Sequence, residues 1–222
     1  PMVNSRCVWN TLMLNDQSKI AVPVYDSSIR GNPIITELAD LWRYRDLLPL
    51  MVAGNVKRRY KRSVLGVVWT LLNPLLAMAV LTVALSHLFR FSLQHYPVYV
   101  LAGLLLWNFH AQSTGYAMHA LVWGGGLIRR VYFPRSVFAA AAVGTGMINL
   151  VISLVPLLLI MLALGHPLKP ALFFLPVAVA LVALFTFGLA LLLSIVAVFF
   201  TDVVEMYQVL LASLFYLTPV IY

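Results

Sequence analysis

Histidine, serine and arginine are the residues of this chain whose types and positions could do chemistry. His110 and His119 lie nine residues apart in one apolar stretch, which on a helix puts them about 13 Å apart and on opposed sides. A shared metal is therefore not expected of them, and no zinc-type Cys/His spacing or His-Glu-x-x-His occurs. Intramembrane serine chemistry would need a serine facing a histidine; Ser113, Ser153 and Ser194 are present, but no spacing singles one out. A Gly-x-x-x-x-Gly-Lys-Ser/Thr phosphate loop is absent, and Gly124–Gly126 lacks the lysine. No Asp or Glu falls between Ser63 and Thr201, whereas ion-driven transporters usually bind the coupling ion at a buried carboxylate. What remains is arginine. Lys57, Arg58, Arg59, Lys61 and Arg62 form one basic group, and Arg129, Arg130 and Arg135 a second. A guanidinium receives a phosphate through paired N–H bonds. Cations beside an apolar run also bind anionic lipid and fix orientation.

The elements that hold these residues follow from composition. Of 222 residues 62% are apolar and 10% charged, against about 45–50% and about 25% in soluble domains. Mean hydropathy is +0.94. The uncharged runs 63–89, 91–128, 136–168 and 170–201 each exceed the roughly 20 residues that carry a helix across a bilayer. They are continuously apolar and do not alternate with period two, which argues for helices over a barrel. Spans are placed near 66–89, 97–121, 137–164, 171–200 and 204–222. With the N-terminus in the cytoplasm, eight cations of the short loops lie inside and two, Arg90 and Lys169, outside, as the positive-inside rule requires. Residues 1–33 read as an irregular cytoplasmic segment. Over 34–62, Ile35, Leu38, Ala39, Leu41 and Trp42 recur at helical spacing among charges, Pro49 interrupts, and the basic stretch follows. This pattern predicts an amphipathic helix in the headgroup plane, or one packed on the bundle.

Three segments carry a resemblance. Arg59-Tyr60-Lys61-Arg62-Ser63-Val64-Leu65-Gly66-Val67-Val68-Trp69-Thr70-Leu71-Leu72-Asn73-Pro74 resembles the start of the membrane subunit of type-two ABC exporters for polysaccharides, the permeases for O antigen, capsule or teichoic acid. Tyr132-Phe133-Pro134-Arg135-Ser136-Val137-Phe138 agrees, as do Phe200-Thr201-Asp202-Val203 and Leu217-Thr218-Pro219-Val220-Ile221-Tyr222, all in family order. Thr201 departs from the arginine usual there. The resemblance implies an all-α membrane bundle of five visible spans in 63–222, with a sixth span expected further along. It also implies a bacterial inner-membrane location and a homodimer resting on a separate ATPase subunit. That partner would bind ATP and Mg, and this chain would hold no cofactor, metal or catalytic residue.

On this reading the partners are the ATPase subunit, a second permease, membrane lipids and a lipid-linked polysaccharide; no nucleic acid is implied. Force from the ATPase would enter through Trp42 and Arg45 of the amphipathic helix and through the 124–135 loop with Arg129, Arg130, Tyr132 and Arg135. Arg58, Arg59 and Arg62 are candidates for the lipid phosphate. Aromatic faces stack on sugar C–H surfaces without fixing one hydrogen-bond pattern, so Trp69, Trp107, Phe109, Tyr116, Trp123 and Tyr216 are candidates for the polymer path. Asn108, Gln112, Ser113 and Thr114 add polarity to the second span, which makes it the first choice for a lining. Two other readings stay open: a type-two permease for a drug or lipid, and, in another class, an intramembrane enzyme.

Overall fold

The computed structural model describes residues 41–61, 67–89, 96–123, 134–165 and 170–218, all within one compact unit, Glu37–Tyr222. These residues are helical apart from short turns, and no strand occurs among them. In chain order the helices are α1 (Leu47–Tyr60), α2 (Val67–Phe89), α3 (Tyr96–Trp123), α4 (Arg135–Ala163), α5 (Leu175–Phe199) and α6 (Asp202–Leu217), with a 3₁₀ turn at Pro170–Phe174 before α5. The irregular segment 1–33, and Arg62, Arg129, Arg130 and Tyr132, lie outside the described residues.

α3 is the hub. It packs against α2, α4, α5 and α6, and α1 lies on α4. At 28 residues it is about 42 Å long, but Asn108, His110, Gln112, Ser113 and Thr114 make it the polar helix of the set. Its neighbours are apolar on the outside. Val151, Val155 and Leu159 follow each other at four-residue spacing along the exposed face of α4, while Thr145, Asn149 and Ser153 are buried on the other. Such a bundle hides its hydroxyls and amides and shows its valines and leucines, the arrangement for which lipid is the solvent. Among the described residues α4 and α5 are long and apolar enough to cross a membrane.

Small residues bring α3 and α4 together. A Cβ on Gly146 would collide with Ser113 Oγ and come within 3.2 Å of the Phe109 ring. Ala139, Ala141 and Ala142 are buried nearby. Gly144 serves a different contact, since a Cβ there would meet Val52 of α1 at 3.0 Å.

The amphipathic segment differs from its expected form. Residues 41–43 are helical, the chain turns at 44–46, and α1 starts at Leu47. The break therefore precedes Pro49, which sits in the first turn of α1, where a missing N–H leaves no helical bond unmade. At the other end of the bundle α6 stops at Leu217 and Thr218 is extended, the conformation favoured for a residue before proline.

Candidate functional site

Two polar networks meet on α3. The first joins α1, α2, α3 and α4. The last turn of α1 carries Lys57, Arg58 and Arg59, cations favoured at a helix C-terminus. Arg59 turns into the bundle: its guanidinium donates to Gln112 Oε1 at 3.1 Å and lies 6.0 Å from the centre of the Tyr116 ring. Tyr60 donates to Asn149 Oδ1 at 3.0 Å. Having spent its one proton there, it accepts from Thr70 Oγ1 at 3.0 Å. Exposed Arg58 donates to Asn55 Oδ1 at 2.7 Å, Asn55 donates to Thr145 Oγ1 at 3.3 Å, and Thr145 donates to the Ala141 carbonyl at 2.7 Å. One face of α1 is thus fastened to the bundle by side-chain hydrogen bonds, while Leu50, Ala53, Lys57 and Arg58 stay exposed.

Arg59 stands between two hollows. One is a cleft of about 190 Å³ whose walls include Arg59, Trp69, Asn73, Asn108, Gln112 and Asn149. The other is a cavity of about 530 Å³ bordered by Asn55, Arg58, Arg59, Tyr116 and His119. The cleft carries four carboxamides and an indole; the cavity carries two guanidinium groups, an imidazole and a phenol. Neither holds a carboxylate among the described residues.

The second network joins α3, α5 and α6, and its proton order can be read off. Tyr207 donates to Thr114 Oγ1 at 3.1 Å. Thr114 in turn donates to the carbonyls of His110 and Ala111. The Tyr207 oxygen is left to accept from His110 Nε2–H, at 3.4 Å. His110 Nδ1 then accepts from the Thr186 hydroxyl at 2.9 Å. Phe185 stacks on the imidazole at 5.6 Å, and Trp107 stands 6.3 Å from it.

The expected site residues divide accordingly. Trp69, 59% exposed, lines the cleft, and Phe109 is buried at its floor beside Gly146. Tyr116 borders the cavity. Trp107 points the other way, to Phe215 of α6 at 5.6 Å. Trp123 stacks on His119 at 4.5 Å, and Tyr216 is exposed, edge-on to Phe215. The six aromatics therefore do not form one lining. Trp42 is exposed with Arg45 over its ring at 5.3 Å, and Arg135 is exposed at the first turn of α4.

Sequence reading missed Tyr60, Asn73 and Asn149. The signal was there, as polar stripes at four-residue spacing within apolar runs: Trp69–Asn73, Asn108–Gln112–Tyr116 and Thr145–Asn149–Ser153. Each puts its members on one helix face.

The family model for the ABC-2 type transporter membrane domain matches residues 47–222. The chain belongs to that family. This membrane protein is 33% identical over 190 residues to the O-antigen export system permease protein RfbA of Myxococcus xanthus, covering 85% of this chain and 73% of that protein. It is 26% identical over 180 residues to the protein of the same name from Klebsiella pneumoniae, covering 80% of this chain and 69% of that one. The match begins at the first residue of α1 and takes in every helix that builds the cleft. An ABC-2 permease is a transport subunit, so α1 and the two networks of α3 are parts of a transport domain.

Proposed function

We propose that this chain is the membrane-spanning half of an ATP-driven exporter that moves a lipid-linked polysaccharide, of O-antigen type, out of the cytoplasm across the bacterial inner membrane. The observation that carries the reading is the likeness to O-antigen export permeases over 80–85% of the chain. In this reading α2, α3 and α6 cross the bilayer along with α4 and α5, the N-terminus is cytoplasmic, and two copies of the permease pair. A separate ATPase subunit binds ATP and Mg. Its push enters through α1, with Trp42 and Arg45 just ahead of it, and through the 124–135 loop with Arg129, Arg130, Tyr132 and Arg135.

The cavity beside α1 suits the charged end of such a cargo. Arg58 and Arg59 border it together, no acid among the described residues competes for them, and Arg62 follows in sequence. Guanidinium groups in a partly desolvated wall take phosphate better than ammonium groups do. The aromatic residues Trp69, Tyr116, Trp123 and Tyr216 then serve different stretches of the polymer path, while Trp107 and Phe109 support the helices that carry it.

The test is reconstitution. Purified with its ATPase subunit in sealed vesicles, the permease should raise ATP turnover and move lipid-linked polysaccharide only when ATP is supplied. Replacing Arg58, Arg59 and Arg62 by glutamine should depress transport far more than membrane insertion. Transport in vesicles without any nucleotide-hydrolysing companion would overturn the reading.

A further inference from the structure

We infer that the amide-lined cleft is a sugar-binding subsite, and that it reads the single sugar unit joined to the lipid phosphate. The inference rests on the reading above, in which the cargo is a lipid-linked polysaccharide and its phosphate enters the cavity at Arg58 and Arg59.

The chemistry of the walls selects the ligand. Tyr60 holds the carbonyl of the Asn149 amide and Arg59 that of the Gln112 amide, so both present N–H₂ donors. Among the described residues no hydrogen bond engages the side chains of Asn73 and Asn108, which leaves each with a carbonyl acceptor and two donors. Unspent donors and acceptors side by side suit hydroxyl groups, which do both. A phosphate, which only accepts, would use the donors and leave the carbonyls of Asn73 and Asn108 without a partner. Trp69, one turn before Asn73 on α2, adds an apolar face on which the C–H side of a sugar ring can lie. Asn73 is exposed and Asn108 half-buried, so both amides can be reached by a ligand that completes their hydrogen bonds.

Size and position narrow the choice further. At about 190 Å³ the cleft falls below the roughly 300–1,000 Å³ of drug-sized sites, so it takes one ring and not a length of polymer. Arg59 is the wall shared with the larger cavity. A phosphate held on the cavity side of Arg59 and a sugar in the cleft are then neighbours, as they are across one phosphate–sugar bond. The cleft extends away from the Trp123 end of α3, since Asn108 lies about 22 Å up the helix from Trp123.

Cysteine protection tests this on the permease. Cys7, the one cysteine, is replaced by serine and Asn73→Cys is introduced at the cleft; Trp69→Cys supplies a second reporter should the first not fold. The protein in nanodiscs is labelled with a maleimide in the presence of either a polyprenyl phosphate or the same lipid phosphate carrying one sugar. Labelling at position 73 should slow several-fold with the sugar-bearing lipid alone, and Asn108→Ala should restore its speed. Equal protection by the bare polyprenyl phosphate would assign the cleft to phosphate and overturn the inference. Protection by neither lipid, in a preparation whose ATPase-coupled vesicles still export the polymer, would overturn it and leave the export reading standing. Failure of both protection and export would remove both.

Discussion

Two polar networks sit two residues apart on the same helix, and they are built to opposite rules. Around His110 every hydroxyl and ring nitrogen is spent. Thr186 donates to the imidazole, the imidazole to Tyr207, Tyr207 to Thr114, and Thr114 to the backbone. Around Asn108 the amides have unspent donors and acceptors and a hollow in front of them. Closed polar networks in a membrane bundle hold helices together, because lipid offers no other partner. Open ones lie where something else completes them. On this contrast the His110 network fastens α6 and α5 to α3, whereas the cleft between α1, α2 and α4 is left for cargo. His110, an ionisable residue at a depth where function is the usual suspicion, is thereby accounted for as a fastener.

The strongest way to break the contrast is to remove the scaffold common to both sides. Gly146→Val drives a side chain into Ser113 and Phe109 and should part α3 from α4. Overpacking of this kind costs about 1–3 kcal/mol. Thermal loss of monodisperse protein in detergent should move to markedly lower temperature, with binding and stability lost together. Gly188→Ala is the control, since nothing lies within 4 Å of a Cβ there.

His110→Leu is the next largest effect. It leaves Thr186 and Tyr207 each short of a partner, at about 1–2 kcal/mol, measured by unfolding in mixed micelles. Per folded molecule, export should be preserved, because α3 keeps its cleft face. Tyr207→Phe removes two links of the chain, to Thr114 and to His110, and should cost about 1 kcal/mol, since a hydrogen bond between membrane helices averages about 0.6 kcal/mol. If either variant abolished export at undiminished stability, the fastener reading of His110 would fail and the network would have to be counted as part of the transport path.

Much of this bundle was legible in the sequence because the physical signal is coarse. Uncharged runs bounded by Arg90, Arg129, Arg135 and Lys169 delimit helices in lipid without help from tertiary contacts. α6 ends at Leu217 for a purely local reason, since Thr218 precedes a proline. The start of α1 was less legible, because Pro49 reads as a breaker until one knows that it falls in a first turn. The site was legible in its residue types and not in its directions. Trp107 and Tyr116 share a helix, but at 100° per residue they stand on opposed sides of it: Trp107 meets Phe215 of α6, while Phe109 and Tyr116, seven residues apart on one face, lie toward α4 and α1, so a list of aromatics on one span could not become one lining. Asn149 and Tyr60 are 89 residues apart, and nothing local to either announces the other. What the sequence did hold, three polar stripes at four-residue spacing, becomes a site only when α2, α3 and α4 are seen to turn those stripes toward one another.

Asn108→Ala makes the smallest change in stability and sharpens the contrast most. Asn108 is half-buried, lines the cleft and, among the described residues, holds no partner. Removing its amide therefore breaks no bond that the folded protein makes. A substitution away from any such feature usually moves stability by no more than about 0.5 kcal/mol, and unfolding in mixed micelles should find it within that margin of the parent, or slightly more stable, since an unpaired amide has left the bundle. Export of the polymer should nevertheless fall, and should fall further for cargo supplied at low concentration, because the amide completes its hydrogen bonds only with a bound ring. Tyr207→Phe is expected to do the reverse, losing stability and keeping export. The pair forms a crossed test: two single-group deletions, one at the open cleft and one in the closed network, each sparing what the other impairs. Should Asn108→Ala lose stability and export in the same proportion, its amide would be one more fastener, and the cleft would be a gap between helices with no ligand of its own.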